Sequence, residues 1–445
     1  MSVLQWTPMW KIVQECLQRY KLEKGPLLLG YSGGVDSAAL LALLRLGTAE
    51  LHVLHIHHSW RREALKEAFQ LGEYVRSLGL PFYMESITSI DPEMEGNIED
   101  KYRIERRKIF QKYYKLTCAK ALVLAHQQDD QAETVFKRVF EGASLGKLTG
   151  LREYAELDGM IVVRPLLTLS KEKLYSFLKK NQLSYLEDST NKDVRYLRGR
   201  QREKIFPEIE KAFGKRASRN LCRLADELSE YATYMTKRVD SYYKALSQGP
   251  WGYYLDLGRL PYIEPFELAY FVRQMCASLQ VVISYEGLKT LVKNILLKKS
   301  DKKIIAQSIE IHLDRNKLFF LRSIKQAEKL VIQSIPCTFV YQGLSWKLEQ
   351  VEHRNLSRGW EDLWKGSVEF AAFPDLEMTF SNSVAKIGHT SIKEMYQEQK
   401  IPVPLRGKFF QLFQNQQLCF DPLLPICDKR CCGQKIFRLS MIDSI

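Results

Sequence analysis

Short apolar runs alternate with longer amphipathic stretches through the first part of the chain. Leu27-Leu28-Leu29-Gly30-Tyr31 predicts a buried strand, and the segment Asp36–Leu46 behind it predicts a helix. The unit recurs three times. A strand over Leu51–His57 precedes a charged amphipathic helix over Arg61–Ser77. A strand over Phe82–Ile87 precedes a helix from about Asn97 to Leu116, and a strand over Ala121–Ala125 precedes a helix over Asp129–Phe140. Such alternation implies an α/β fold: a doubly wound parallel sheet with right-handed crossovers, which binds ligands at the carboxyl ends of its strands.

The pattern changes after about residue 215. Asn220–Leu246 reads as one long helical stretch carrying Leu221, Leu224, Leu228, Tyr231 and Tyr234, and from about residue 305 the chain becomes rich in strands and turns. A short helix is expected over Ile392–Glu398, ending before Ile401-Pro402. Three domains follow: residues 1–215, the catalytic α/β part; 216–330, mainly helical; and 335–445, small and mixed α/β. No internal repeat or low-complexity tract is present.

Composition narrows the partner. Lys and Arg number 66 against 52 Asp and Glu, a formal charge of +14, which favours a polyanion such as RNA; a generically basic soluble surface explains the charge equally well by itself. The nine cysteines are odd in number and lack the spacing of a disulfide framework or a zinc site, which points to a reducing compartment. The start of the chain does not read as a leader, and no stretch approaches the run of about eighteen apolar residues that a membrane helix needs. The expectation is a cytoplasmic protein with no membrane partner. The oligomeric state is open, a homodimer being one expectation.

The strongest local signal is Ser32-Gly33-Gly34-Val35-Asp36-Ser37, between the first strand and the first helix. Its glycines let the backbone approach a phosphate, while successive N–H groups and the helix start supply positive partial charge. Ser32 and Ser37 add hydroxyl donors. Asp36 would repel a phosphate unless it met a cation, so it reads as a ligand for Mg²⁺. There is no GxxxxGK[ST] sequence, which removes support for a γ-phosphate-transferring P-loop. A plain structural turn would explain a lone pair of glycines, but not this arrangement in this setting.

This loop resembles that of the N-type ATP pyrophosphatases, the PP-loop superfamily, which split ATP between its α- and β-phosphates. Further segments resemble the tRNA(Ile)-lysidine synthases within it: His55-Ile56-His57-His58; Asn97-Ile98-Glu99 with Arg103, Arg106 and Phe110; Ala125-His126-Gln127-Gln128-Asp129-Asp130-Gln131-Ala132-Glu133-Thr134; Arg164-Pro165-Leu166-Leu167; and Glu187-Asp188-Ser189-Thr190-Asn191 with Arg195, Tyr196, Arg198, Arg200 and Arg202. Lys400-Ile401-Pro402 and Arg406 extend the likeness to the last domain. The sequence departs from the family at Glu141–Lys147, at Gly199 and Gln201, and at Ser391 and Glu394, where lysine is usual.

The resemblance implies a carbon–nitrogen ligase that uses ATP and Mg²⁺ on the wobble cytidine of a tRNA(Ile) with a CAU anticodon. The base oxygen O2 attacks the α-phosphorus and pyrophosphate leaves. The ε-amine of free L-lysine then attacks C2 and expels AMP, which changes decoding from AUG to AUA and charging from methionine to isoleucine. Each step gathers negative charge on phosphate oxygens, which fixed N–H donors, cations and Mg²⁺ stabilise.

ATP is therefore expected at Ser32–Ser37, with His57, Arg106 and His126 shaping its pocket. Asp130 and Glu133, three apart, are expected on a polar helix face opposite Ala132, Val135, Phe136 and Val139, holding the lysine ammonium and taking its proton. An ordinary acidic helix start is the competing account. Arg103 and Arg106 share a face and suit phosphate, or a Glu99–Arg103 surface pair. Arg195, Arg198, Arg200 and Arg202 are too dense for a simple amphipathic pattern, so some should meet phosphate of ATP or RNA. Lys393 and Arg406 are candidate tRNA contacts and, equally, ordinary surface charges. Three other readings compete: a tRNA thiolase, which usually carries a catalytic cysteine pair where this chain has no CxxC; a glutamine-hydrolysing synthetase, for which no amidotransferase cysteine is evident; and a non-catalytic tRNA-binding relative.

Overall fold

The structure, a computed structural model, describes residues 8–47, 50–58, 62–87, 98–186, 197–322, 331–332, 335–341, 344–352, 360–372, 378–381, 386–387, 390–406, 411–414, 417–421, 423–424 and 435–442. It forms two compact units, Met1–Thr233 and Tyr234–Ile445.

In the first unit the elements run α1 (Pro8–Arg19), β1 (Pro26–Gly30), α2 (Val35–Leu44), β2 (Glu50–His58), α3 (Arg62–Ser77), β3 (Phe82–Ile87), α4 (Ile98–Leu116), β4 (Ala121–Leu124), α5 (Gln128–Phe140), β5 (Tyr154–Leu157), β6 (Met160–Val163) and α6 (Lys171–Lys180), then α7 (Leu197–Arg200), a π turn (Gln201–Ile205) and α8 (Phe206–Phe213). The sheet order is β3-β2-β1-β4-β6-β5, parallel except for β5. β1 reads as an unbroken apolar run because both of its faces are covered. Leu27 and Leu29 pack in a core with Val13, Leu40, Leu174 and Leu178, from α1, α2 and α6. Leu28 faces the other way, with Leu54, Leu122 and the α4 residues Phe110 and Tyr113. All three leucines are fully buried, and each contributes about 2 kcal/mol.

The strand order decides where chemistry can sit. β1 pairs in parallel with β2 on one side and with β4 on the other, so the connections leaving β1 and β4 diverge to opposite faces. A crevice opens between such connections at the carboxyl ends. The Ser32–Ser37 loop and the His126–Glu133 stretch stand on its two sides.

The second unit holds α11 (Pro265–Ser278), α12 (Tyr285–Leu296) and a five-stranded sheet of β7 (Leu246–Gly249), β8 (Gly252–Asp256), β9 (Lys302–Ala306), β10 (Ile309–Asp314) and β11 (Lys317–Arg322), in the order β7-β8-β11-β10-β9; α9 (Ala217–Arg238) and α10 (Asp240–Lys244) precede it. Alternation along β11 gives this sheet two cores. Leu318 and Phe320 pack with Phe271, Leu291 and Ile295 of the helices. Phe319 and Leu321 turn to Trp251, Trp346, Trp364 and Leu439, the last three from the C-terminal segments. Among the described residues those segments form two four-stranded sheets, one two-stranded sheet and two short helices, Trp360–Trp364 and Ile392–Glu398.

Three details differ from the sequence reading. The helix expected over Asn220–Leu246 stops at Arg238, and after α10 the chain turns into β7 at Leu246. The strands β5–β8 are additional. Val139, expected on the apolar stripe of α5, is exposed, whereas Asp130 and Glu133 are buried. The last difference has a local cause: the turn after α7 covers that side of α5, its buried Gln201 donating through Nε2 to the Glu133 carbonyl at 3.4 Å.

Candidate active site

The loop after β1 is shaped from within. Gly33 has φ +84 and a Cβ there would lie 2.7 Å from two carbons of Leu71, so only glycine fits. Gly34 is the N-cap of α2 and has no side chain to cap the helix, leaving the first N–H groups of α2 directed into the crevice. The hydroxyls of Ser32 and Ser37 lie 3.1 Å apart, and Ser37 Oγ also donates to the Gly34 carbonyl at 3.1 Å. The loop is thus preformed for an anion. Val35, next in line, is half-buried.

Asp36 sits in the first turn of α2. Its Oδ1 is buried and takes no hydrogen bond among the described residues. Burial, with the negative charge of Asp130 added, pushes its carboxyl up to about 6, against the pull of Lys171 and Arg202. An unpartnered carboxylate oxygen beside a phosphate-binding loop suits a hard divalent cation, which binds through one or two carboxylates plus phosphate oxygens. The residues present fit Mg²⁺.

Across the crevice, β4 ends in Ala125-His126-Gln127 and α5 begins. Gln127 caps α5, accepting from Asp129 N at 2.8 Å, while Asp130 Oδ2 accepts from Gln127 N at 3.0 Å. Asp130 therefore has a structural task on one oxygen. Its other oxygen lies 3.2 Å from Arg202 Nη2, which also reaches Glu133 Oε2 at 3.2 Å. Arg202 Nε donates to Glu133 Oε1, and Arg198 Nε stands 3.7 Å from Glu133 Oε2. Burial raises the Glu133 pKa despite these guanidinium contacts. Burial opposes the Arg202 charge, yet the hydrogen bond and charges of Glu133 and Asp130 outweigh it and raise its pKa. Two buried carboxylates and a partly buried guanidinium thus form one network.

His126 lies at the end of β4 with Nδ1 3.3 Å from Arg164 Nε. Burial, with Arg164, Arg106 and Arg198 adding to it against Asp130, drives its pKa down to about 3, so the ring is neutral. Arg106 is exposed, and desolvation with the charges of Arg198 and Arg103 lowers its pKa to about 10. His57, at the end of β2, has a buried Nδ1 with no hydrogen bond among the described residues, and burial lowers its pKa. Its neighbour His55 stacks on it at 6.2 Å, with Nδ1 2.8 Å from the Tyr31 carbonyl, and so holds the strand end.

The structure brings Ser32–Ser37, Asp36, Arg106, His126, Asp130, Glu133, Arg198 and Arg202 to one switch point. Arg103 is exposed on α4 and within electrostatic reach of Arg106 and Arg164. Arg200 is exposed, while Arg195, Asn97 and Glu187–Asn191 lie outside the described residues. In the second unit Arg406 donates twice to the Ile401 carbonyl, at 3.0 and 2.8 Å, anchoring the chain behind the short helix. Lys393 is exposed in the first turn of that helix, where Ser391 and Glu394 form a capping box. The two departures at Ser391 and Glu394 thus have a local structural use. Sequence reasoning missed Arg164 and Lys171 as site residues; Arg164 belongs to the family-like segment Arg164-Pro165-Leu166-Leu167, but nothing local in the sequence pairs it with His126.

The PP-loop domain family matches residues 9–209. The chain is similar to a tRNA(Ile)-lysidine synthase of Protochlamydia amoebophila, at 31% identity over 428 residues, 92% of this chain and 91% of that protein. It is also similar to a tRNA(Ile)-lysidine synthase of Chlamydia muridarum, at 30% identity over 285 residues, 63% of this chain and 88% of that one. Among solved structures, a U34-tRNA thiolase of Methanococcus maripaludis aligns with 50% of this chain and 78% of its own, at 18% identity and a TM-score of 0.42. No helix among the described residues is long and apolar enough to cross a membrane.

Proposed function

The chain belongs to the tRNA(Ile)-lysidine synthase family, and from that membership we propose that it adenylates the wobble cytidine of a CAU-anticodon tRNA(Ile) with ATP and replaces the activated oxygen with free L-lysine. The observation that carries this reading is the switch point itself: a preformed anion loop on β1 faces a buried acidic pair on α5.

In the first step O2 of the base attacks the α-phosphorus and the bond to pyrophosphate breaks. The N–H groups at the start of α2, with Ser32 and Ser37, hold the phosphates, and Arg106 and Arg198 face the charge that develops. Asp36 would hold Mg²⁺, which neutralises charge on the phosphate oxygens. In the second step the lysine ε-amine attacks C2 and AMP leaves. Asp130 and Glu133 suit the lysine ammonium, which competes with Arg202 for the same oxygens. The raised pKa of Glu133 fits it to take the proton that the amine gives up.

The basic surface, +14 overall, supports a polyanionic substrate. Residues 1–215 then do the chemistry, and residues 216–330 and 335–445 grip the tRNA, with Arg103, Arg195 and Arg200 as further contacts from the first part of the chain and Lys393 from the last. The test is incorporation of labelled lysine into a CAU-anticodon transcript, with and without ATP. Label that requires ATP and survives alkaline deacylation is the expected result; pyrophosphate release without lysine uptake would redirect the search to another nucleophile.

A further inference from the structure

Arg164 is buried just beyond β6, its backbone N–H on the Glu153 carbonyl at 2.8 Å and its Nη1 on the Arg152 carbonyl at 2.8 Å. Both bonds leave Nε aimed at His126 Nδ1, 3.3 Å away. A guanidinium has donors and no acceptor, so the ring nitrogen that faces it must be the acceptor. In a neutral imidazole the proton then resides on Nε2.

We propose that Arg164 is a positioning residue that locks His126 in the Nε2–H tautomer, making it a fixed hydrogen-bond donor to an α-phosphate oxygen during adenylation and not a proton acceptor. The charges around the ring agree. Arg106 and Arg198 oppose a second proton and Asp130 favours one, and the ring stays neutral. A donor that neither titrates nor switches tautomer suits an oxygen that gains charge only in the transition state. The step rests on the adenylation reading; the tautomer does not.

Two measurements on the full-length protein test it. In ¹⁵N-histidine NMR, the signal lost in His126→Gln should show Nδ1 bare and Nε2 protonated from about pH 5 to 8, where an ordinary histidine titrates. Arg164→Met should lose that preference and Arg164→Lys should keep it. In pyrophosphate release, Arg164→Met should lower kcat about tenfold or more with KM for ATP within about twofold. His126→Gln, whose amide presents a donor near the Nε2 position without needing a lock, should be indifferent to Arg164→Met. An Nδ1–H signal in the unaltered protein overturns the proposal, and so does an equal loss from Arg164→Met in the His126→Gln background. Absence of pyrophosphate release from the unaltered protein, with the Nε2–H signal present, would uphold the lock and strike the adenylation reading instead.

Discussion

Glu133 and Arg202, 69 residues apart in the chain, meet as an ion pair buried on its carboxylate side, in which Arg202 Nε donates to Oε1 and Nη2 lies 3.2 Å from Oε2. Glu133 is only 2% exposed. The same guanidinium spans to Asp130, so one cation holds two carboxylates that would otherwise repel each other in a desolvated site.

Removing that cation should therefore be expensive. Arg202→Ala is expected to lose about 2 kcal/mol of stability in urea unfolding, since Arg202 is partly buried and Arg198 still faces Glu133 from 3.7 Å when it is gone, and Arg202→Lys is expected to recover part of it. A loss below about 1 kcal/mol, the scale of a surface pair, would sink this account. Glu133→Gln should raise the KM for lysine while lysine-free pyrophosphate release persists.

Asp36 should show stability and activity moving in opposite directions. Its folded pKa, about 6, lies above the ordinary 3.8. The folded state therefore binds the proton more tightly than the unfolded state between those values, and this group lowers stability as pH rises through that window. In the absence of divalent cations, Asp36→Asn is expected to be more stable than the unaltered protein at pH 7 by about 3 kcal/mol, with the difference falling below about 1 kcal/mol near pH 4. Adenylation should be abolished and tRNA binding largely kept. Equal unfolding profiles at both pH values would contradict the burial argument.

The two loop glycines should fail in different ways. Gly33→Ala places a methyl against Leu71 at a positive φ and is expected to cost about 1–3 kcal/mol of fold stability. At Gly34 the added Cβ meets only Ser32 Oγ, at 3.6 Å, and φ is −73. Gly34→Ala should melt like the unaltered protein yet bind ATP more weakly, because the methyl stands where a phosphate approaches the backbone. Thermal melts and nucleotide titrations on the two variants separate the cases.

Arg103 and Arg406 were both candidate RNA contacts, and salt dependence distinguishes them. Arg406 already serves the Ile401 carbonyl, whereas Arg103 is exposed among other arginines. Arg103→Ala should shallow the slope of log K for tRNA against log salt by roughly one. Arg406→Ala should leave the slope unchanged and lower the melting temperature. The reverse pattern would exchange their roles.

What the chain wrote openly was local. Leu27–Leu29 announced a strand because parallel strands covered on both faces are apolar without interruption, and Ser32–Ser37 announced a phosphate loop because its glycines and hydroxyls do their work within six residues. The capping box at Ser391 and Glu394 is equally local, a serine three residues before a glutamate at the start of a helix. The short strands β7 and β8, broken by Gly249 and Gly252, carry too little period to be told from turns.

Tertiary structure alone decided the pairings. That β1 lies between β2 and β4, and so opens the crevice, depends on the order in which crossovers return to the sheet. That Glu133 is buried on Arg202, rather than standing on a solvated helix face, depends on where the turn after α7 comes to rest. That His126 meets Arg164 depends on β6 lying beside β4. A helix or strand period reports which face is covered, but not which distant side chain covers it. Charge neutralisation across such contacts is therefore where the acidic pair and the histidine acquired their chemistry.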